Sequence, residues 1–357
     1  MNMKRRIFLG SGVALSAVAI HQFWNSRNNT AQGNKENKGN KVLNLYSARH
    51  YDADNQVYES FLKKTGIKVN LVESPADKLI ERVKSEGANS PADVIITVDA
   101  GNLWRCQQND LFQKIPMTSS LYSTIDASLR DPEGYWFGFT KRARVIVYNK
   151  ARVKPSDLLR YEDLADAKWR GKVLVRSSSN VYNQSLVGSI LAATDEAKTE
   201  AWAKGLVANF ARKPEGNDTA QIKAVAAGEG DVAIVNNYYL ARLAKSSKPE
   251  EREIASKVGI IFPNQADRGT HVNISGGGIA KFSPNRDAAL QYLEYLASPE
   301  AQEIFAGSNF EYPVVNGVAM NAVLTEFGTF KPDPLNPKIF GEGNGNALKI
   351  MDRSGWT

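Results

Sequence analysis

Between positions 42 and 98, short apolar runs alternate with longer segments in which apolar residues recur every three or four positions. The runs predict three strands, VLNLYS (42–47), IKVNLV (67–72) and DVIITV (93–98). The segments between them predict helices that stop at Gly66 and Gly87, because glycine commonly ends a helix. The order β-α-β-α-β indicates an open α/β sheet.

The same alternation returns in the second half of the chain. Strands are predicted at KVLVRS (172–177), DVAIV (231–235) and HVNISGGGIA (271–280), and helices at about 184–194, 199–211, 217–228 and 283–306, the last broken at Pro299. The glycine-rich FGEGNGN (340–346) follows no predicted strand, so a loop is expected there and not a phosphate-binding turn.

Two α/β lobes are expected from this repetition, with the chain crossing between them near 136–142 and again near 270–275. Their approximate extents are 41–141 plus 270–318 for lobe 1, and 142–269 plus 319–357 for lobe 2.

Residues 1–27 combine a basic start with an apolar stretch that is too short and too rich in glycine and serine for a membrane span. They predict an export signal. Arg5-Arg6 favours the twin-arginine type, which exports folded proteins, over an ordinary Sec signal. No clear cleavage site follows, so an uncleaved anchor is an alternative. Residues 28–40 are polar and low in complexity, and predict a disordered tether.

The net charge of +7 is concentrated at the N-terminus. Seven basic residues and one acidic residue lie within positions 1–41, which leaves about +1 for the remainder. A body without basic excess argues against nucleic acid as a partner. Cys106 is the only cysteine, so an internal disulfide and a thiolate metal cluster are both excluded.

Tyrosines follow three of the predicted strands. The strand exits read SARHY after 42–47, SSNVYNQS after 172–177 and NNYYLAR after 231–235. In open α/β sheets, ligands bind beyond the carboxyl ends of the strands. The sequence therefore predicts one site assembled from both lobes, with candidate residues His50, Tyr51, Tyr182, Tyr238 and Tyr239.

Several phenols at one site favour a hard, highly charged cation. A phenol has a pKa of about 10, so a cation must displace its proton before the oxygen can act as an anionic ligand. Ferric iron fits phenolate oxygen, whereas softer divalent ions prefer imidazole or thiolate. Four phenolates around Fe³⁺ carry a formal charge of −1, which a nearby arginine would offset. Arg142 and Arg242 are the candidates for this role, and a simple surface charge is the alternative for each.

Six segments together resemble the periplasmic ferric-iron-binding proteins of ABC transporters, and most closely the cyanobacterial FutA-like branch. They are SARHY, DVIITVDAGNLWR, GFTKRARVIVYN, SSNVYNQS, NNYYLARL and VNISGGGIAKFSPN, and the resemblance runs from about residue 41 to the C-terminus. It implies the two-lobed type 2 solute-binding protein fold, with the ligand in the cleft between the lobes.

The resemblance also implies the site and the partners. It gives His50, Tyr51, Tyr182, Tyr238 and Tyr239 as metal ligands, and Arg142 and Arg242 as partners of those ligands. Of the five, His50 is the residue that could hydrogen-bond or swing away instead of ligating. Fe³⁺ is the expected ion, with Fe²⁺ left open. Some family members add a carbonate or phosphate, which five protein donors make less necessary. A periplasmic monomer that delivers iron to an ABC permease and its ATPase is expected.

Three other functions compete with this interpretation. A binding protein of the same fold for an oxyanion would need backbone amides and arginines at the strand exits. One for a polyamine would need carboxylates there. An enzyme would need an open coordination position and a second substrate pocket, and the sequence indicates neither. An intracellular iron chaperone or store is left open by the tether and the ambiguous cleavage site.

Overall fold

The computed structural model describes residues 42–357; the predicted export signal and tether lie outside the described residues. The strands of this part are β1 Val42–Ser47, β2 Lys68–Glu73, β3 Val94–Val98, β4 Phe137–Asn149, β5 Val173–Leu174, β6 Val232–Asn236, β7 Val258–Ile261 and β8 Val272–Ile279. The helices are α1 Asp54–Thr65, α2 Ala76–Glu86, α3 Ala100–Gln108, α4 Leu121–Thr124, α5 Val181–Ala193, α6 Glu196–Ala208, α7 Asp218–Ala227, α8 Asn237–Ala244, α9 Pro249–Lys257, α10 Arg286–Leu296, α11 Pro299–Asn309, α12 Ala322–Glu326 and α13 Pro337–Arg353.

Helix ends follow the capping residues of the sequence. Helix α1 ends at Gly66, whose φ of 73° is left-handed and whose N–H donates to the Leu62 carbonyl. Helix α5 begins after Asn180, whose side chain accepts a hydrogen bond from the Tyr182 N–H. The cap at Asn180 thereby fixes the first turn of α5, where Tyr182 lies.

The long strand β4 joins two sheet regions. In the first region, β1 pairs in parallel with β2 and β3, and β8 pairs antiparallel with β3 and with residues 137–143 of β4. In the second region, residues 144–149 of β4 pair antiparallel with β6 and β7, and β6 pairs in parallel with β5. The predicted crossing near 136–142 coincides with the first half of β4, while the lobe boundaries themselves stay a prediction.

Each sheet region has its own apolar core. Leu45, Val94 and Ile279 are fully buried in the first region. Ile234 and Leu186 are fully buried in the second. The predicted α/β fold class is therefore confirmed. Within residues 42–357, no helix combines the length and apolar character that crossing a membrane requires.

The predicted loop at 340–346 is wrong, because this segment is part of helix α13. Gly341 of α13 and Gly188 of α5 allow the neighbouring helices to pack closely. A Cβ at Gly341 would lie 2.9 Å from the Ala100 carbonyl oxygen of α3. A Cβ at Gly188 of α5 would lie 2.9 Å from the Phe340 carbonyl oxygen. Helix α13 thus packs directly against backbone in both α3 and α5.

We expect Gly188→Ala to lower the free energy of unfolding by about 1–3 kcal/mol, because the new methyl group must displace the backbone of α13. Gly345→Ala is the matched control, since a Cβ there meets nothing within 4 Å. That control should be neutral, or should raise the free energy of unfolding by about 0.5–1 kcal/mol through helix propensity. Urea unfolding of both variants measures the difference. Equal stability of the two variants would contradict the close packing.

Candidate metal centre

Tyr238 and Tyr239 lie in the first turn of α8, directly after β6. Strand β6 is buried along its whole length, and Asn236 is the N-cap residue at which the strand gives way to the helix. Tyr238 is 1% exposed and Tyr239 is half-buried. Their rings stack, with centroids 4.3 Å apart and an interplanar angle of 29°. The tandem pair therefore presents two phenols at one corner of the second sheet region.

Tyr51 meets this pair from the other sheet region. It follows the exit of β1, and its ring packs edge-on against Tyr238 with centroids 6.2 Å apart. The two phenol oxygens lie 3.5 Å apart, although the residues are separated by 187 positions in the chain. A shared ligand at this point would contact both sheet regions.

Tyr182 lies in the first turn of α5 and is surrounded by positive charge. The guanidinium carbons of Arg142, Arg144 and Arg176 lie 5.7, 5.9 and 5.5 Å from its ring centroid. Burial, followed by the proximity of Tyr182, raises the pKa values of Tyr51, Tyr238 and Tyr239. Tyr182 is therefore close enough to the other three phenols to interact with each of them electrostatically.

Burial holds the phenols of Tyr51, Tyr238 and Tyr239 in their neutral form. Desolvation raises the pKa of Tyr51 to about 12, with further raising by Tyr182 and Glu311 and opposing effects of Arg142 and Arg49. Desolvation followed by the neighbouring tyrosines raises the pKa of Tyr238 well above its usual range. Burial likewise raises the pKa of Tyr239. These oxygens become anionic near neutral pH only when a strong cation displaces their protons.

The two predicted arginine partners contact different phenols. Arg242 lies one helical turn after Tyr238, and its guanidinium carbon is 4.6 Å from the Tyr51 ring centroid and 4.9 Å from that of Tyr238. Arg142 is buried beside Tyr182 and donates hydrogen bonds to the Ser275 hydroxyl at 2.7 Å and the Ile274 carbonyl at 2.6 Å. Both arginines thus lie against the predicted ligands.

His50 makes a different contact from the phenols. Its side chain is 47% exposed, and its Nδ1 lies 2.7 Å from Oε1 of Glu73. It lines a groove of about 700 Å³ whose walls come from both sheet regions, including Trp104 and Asn180. In this structure the imidazole is therefore paired with a carboxylate, and its predicted role as a ligand stays a prediction.

Several charged residues at the site were missed by sequence reasoning. Arg49 and Glu311 are buried beneath Tyr51, and Asp218 is buried beside Arg144 and Arg176. Arg49 had a signal in the sequence, since it stands within SARHY two positions before Tyr51. Glu311 had none, because it reaches the site from 262 positions away.

Carboxylate, imidazole and thiol groups offer no alternative metal site in the part of the chain that the structure describes. Over residues 42–357, no group of three or more His, Cys, Asp or Glu side chains is arranged to hold a metal ion. Within these residues, the candidate metal donors are therefore the phenol oxygens of Tyr51, Tyr182, Tyr238 and Tyr239. The guanidinium groups of Arg142 and Arg242 lie beside them.

A two-region α/β fold with hydrogen-bonding and charged groups converging between its halves is the architecture of a solute-binding protein. Residues 56–332 match the family model of bacterial extracellular solute-binding proteins. The chain belongs to this family.

Several individual relatives within this similarity are iron-binding or iron-uptake proteins. Iron uptake protein A1 of Synechocystis is 50% identical over 357 residues, with 99% of each chain covered. The major ferric iron-binding protein of Neisseria meningitidis is 29% identical over 319 residues, which cover 88% of this chain and 92% of that protein. A solved structure of Trichodesmium FutA (IdiA) in complex with iron and citrate ligands is 60% identical, with a TM-score of 0.86, and the match covers 88% of this chain and 100% of the other. The resemblance to ferric-iron-binding proteins, and to their FutA-like branch, is confirmed.

Proposed function

We propose that this protein binds one ferric ion through the phenolate oxygens of Tyr51, Tyr182, Tyr238 and Tyr239. The observation that carries the proposal is the contact between Tyr51, which follows β1, and the tandem pair of α8, with Tyr182 of α5 near enough to affect the pKa values of all three. Phenols from distant parts of a chain have no common structural reason to gather with two of their oxygens, those of Tyr51 and Tyr238, 3.5 Å apart. A hard trivalent cation supplies that reason, because phenolate is a hard anionic donor.

The surrounding arginines support an anionic metal complex. Four phenolates around Fe³⁺ carry a formal charge of −1, and a bare negative charge in a buried site is costly. Arg142 and Arg242 lie against the phenol rings and offset that charge. A divalent ion displaces phenol protons less strongly than a trivalent one, so four phenol donors favour ferric over ferrous iron.

The remaining coordination position has two candidate donors. We propose His50 as the fifth ligand, which requires its imidazole to leave Glu73 and turn towards the phenols. An exogenous anion is the alternative, and the Trichodesmium relative that holds citrate with its iron supports it. Neither donor alters the role proposed for the four tyrosines.

Iron import is the biological role that the relatives support. Iron uptake protein A1 and the major ferric iron-binding protein are named for iron acquisition. Membership of the extracellular solute-binding family fits a protein that captures its solute outside the inner membrane. We propose that the iron-loaded protein works in the periplasm and passes ferric iron to an ABC permease driven by its ATPase.

Metal analysis combined with a visible spectrum tests this function. Apo-protein mixed with ferric nitrilotriacetate and then desalted is expected to retain one iron per chain. It should also show a broad visible band from phenolate-to-iron charge transfer. Zinc and manganese, offered in the same way, should be lost on desalting. Iron bound without the visible band would exclude phenolate ligation, and absence of bound iron would exclude the proposed function.

A further inference from the structure

Arg49 is a buried arginine whose hydrogen-bonding groups are engaged on several sides. It is 4% exposed. Its Nε and Nη2 donate to the two carboxylate oxygens of Asp54 at 2.7 and 3.0 Å. Its Nη2 also donates to Glu311 Oε2 at 2.8 Å, and its Nη1 donates to the Thr140 hydroxyl at 3.3 Å. A guanidinium held by two carboxylates in this way has one orientation, because its planar fork matches carboxylate geometry.

The guanidinium that is fixed in this way lies against Tyr51. Its central carbon is 4.7 Å from the Tyr51 ring centroid, and that of Arg242 is 4.6 Å from the same centroid. Arg242 comes from α8 in the second sheet region, whereas Arg49 belongs to the segment that carries Tyr51. The Tyr51 ring is therefore in contact with one cation from each sheet region.

Glu311 links Arg49 to a second arginine of the site. Its Oε1 accepts a hydrogen bond from the Thr140 hydroxyl at 2.8 Å and lies 3.5 Å from Arg142 Nη1. Burial opposes its ionisation, but Arg49 and Arg142 hold the pKa of Glu311 below its usual range. The carboxylate thus remains charged and keeps both guanidinium groups in place beneath the phenols.

We propose that Arg49, held by Asp54 and Glu311, is a positioning residue for Tyr51 in ferric-iron binding. This inference rests on the proposed function. A rigid cation next to the ring directs the phenol oxygen towards the metal and stabilises the negative charge that the oxygen gains when its proton leaves. Because the guanidinium is already fixed, little reorganisation is required at that moment.

A double-mutant cycle between Arg49 and Tyr51 tests the inference. Arg49→Lys keeps the charge but removes the planar fork and its contact with the ring. Alone, it is expected to weaken ferric binding by about tenfold, the size of one buried cation–π contact. It should also shift the visible band, since the phenolate changes orientation. In the Tyr51→Phe background the same substitution should cause no further loss, because the group through which Arg49 acts is gone.

Arg268→Lys is the matched control. Arg268 is also mostly buried, pairs with Asp333 and Glu162, and lies 5.8 Å from the ring centroid of Tyr161, away from the phenol cluster. It should leave ferric affinity and the visible band unchanged in both backgrounds. If Arg49→Lys does not fold, the double variant Arg49→Gln/Glu311→Gln takes its place, because it removes one charge of each sign.

The outcomes separate this inference from the function on which it rests. Suppose that the unaltered protein binds iron and that the Arg49 substitution lowers ferric affinity equally in both backgrounds. Arg49 would then have a purely structural role, and the inference would be wrong. No loss in either background would overturn the inference as well. Failure of the unaltered protein to bind ferric iron would instead overturn the proposed function.

Discussion

Replacing both Tyr238 and Tyr239 by phenylalanine is expected to shift and weaken the visible band of the iron-loaded protein, and to weaken ferric binding by more than about a thousandfold. Loss of a group that only supports a metal ligand commonly costs 10–100-fold in affinity, and here two direct donors are removed. The protein should still fold, because both rings and their stacking contact at 4.3 Å are retained.

Tyr295→Phe is the control for loss of a buried hydroxyl. Tyr295 is 5% exposed and packs against Phe61 in the core of the first sheet region, with ring centroids 5.3 Å apart. Its variant should bind iron with unchanged affinity and colour. Ferric affinity is measured by competition with citrate, and folding by circular dichroism. A folded double variant that holds iron as tightly as the unaltered protein, with the same spectrum, would refute phenolate ligation by the tandem pair.

The single variants refine this result. Tyr238 is more deeply buried than Tyr239, and it alone of the pair meets Tyr51 at 3.5 Å between phenol oxygens. Loss of its oxygen therefore leaves a gap that water reaches poorly, whereas water can replace the half-buried Tyr239 oxygen more easily. Tyr238→Phe should weaken binding more than Tyr239→Phe.

Most of the fold could be predicted because periodicity and capping agree along the chain. The predicted strand at 42–47 is β1, and the predicted helix stops at Gly66 and Gly87 are observed. The strand predicted at 172–177 is shorter, since β5 ends at Leu174. Its continuation turns into the N-terminal cap of α5, a change that depends on Asn180 and not on apolar spacing.

The error at 340–346 has a physical origin in tertiary packing. Glycine is unfavourable in an isolated helix, so a segment with several glycines predicts a loop. Here Gly341 and Gly188 allow the backbones of α13, α3 and α5 to approach each other, and that packing outweighs the local preference. This packing depends on the positions of α3 and α5, which are far from α13 in the sequence, so local sequence could not predict it.

The phenols of the site could be predicted, whereas their charged surroundings could not. Tyr51, Tyr182 and the tandem pair each follow a strand, and the carboxyl ends of strands converge. Glu311 contacts Arg49 across 262 positions, and no local pattern marks it. The pairing of His50 with Glu73 likewise depends on the parallel register of β1 and β2, in which Ser47 is opposite Glu73.

Ferric binding is expected to release protons and therefore to weaken steeply on acidification. The pKa of Tyr51 is raised to about 12 by burial, and those of Tyr238 and Tyr239 are raised too, so the apo-protein holds these protons throughout pH 5–8. The bound phenolates hold none. These three phenols should thus make the logarithm of the affinity rise with pH, with a slope of about three over this window.

The proton count can be assigned to a particular phenol by comparing variants. Asp99, a carboxyl whose pKa burial raises to about 6, titrates in the same window, but it does so in every variant and cancels in the difference. Proton release is measured in a pH-stat when apo-protein is mixed with ferric nitrilotriacetate at pH 7. Tyr51→Phe should release about one proton fewer per iron than the unaltered protein, because one phenol no longer ionises. Tyr295→Phe should release the same number as the unaltered protein. An identical count for Tyr51→Phe would mean that Tyr51 keeps its proton in the complex, and it would remove Tyr51 from the ligand set.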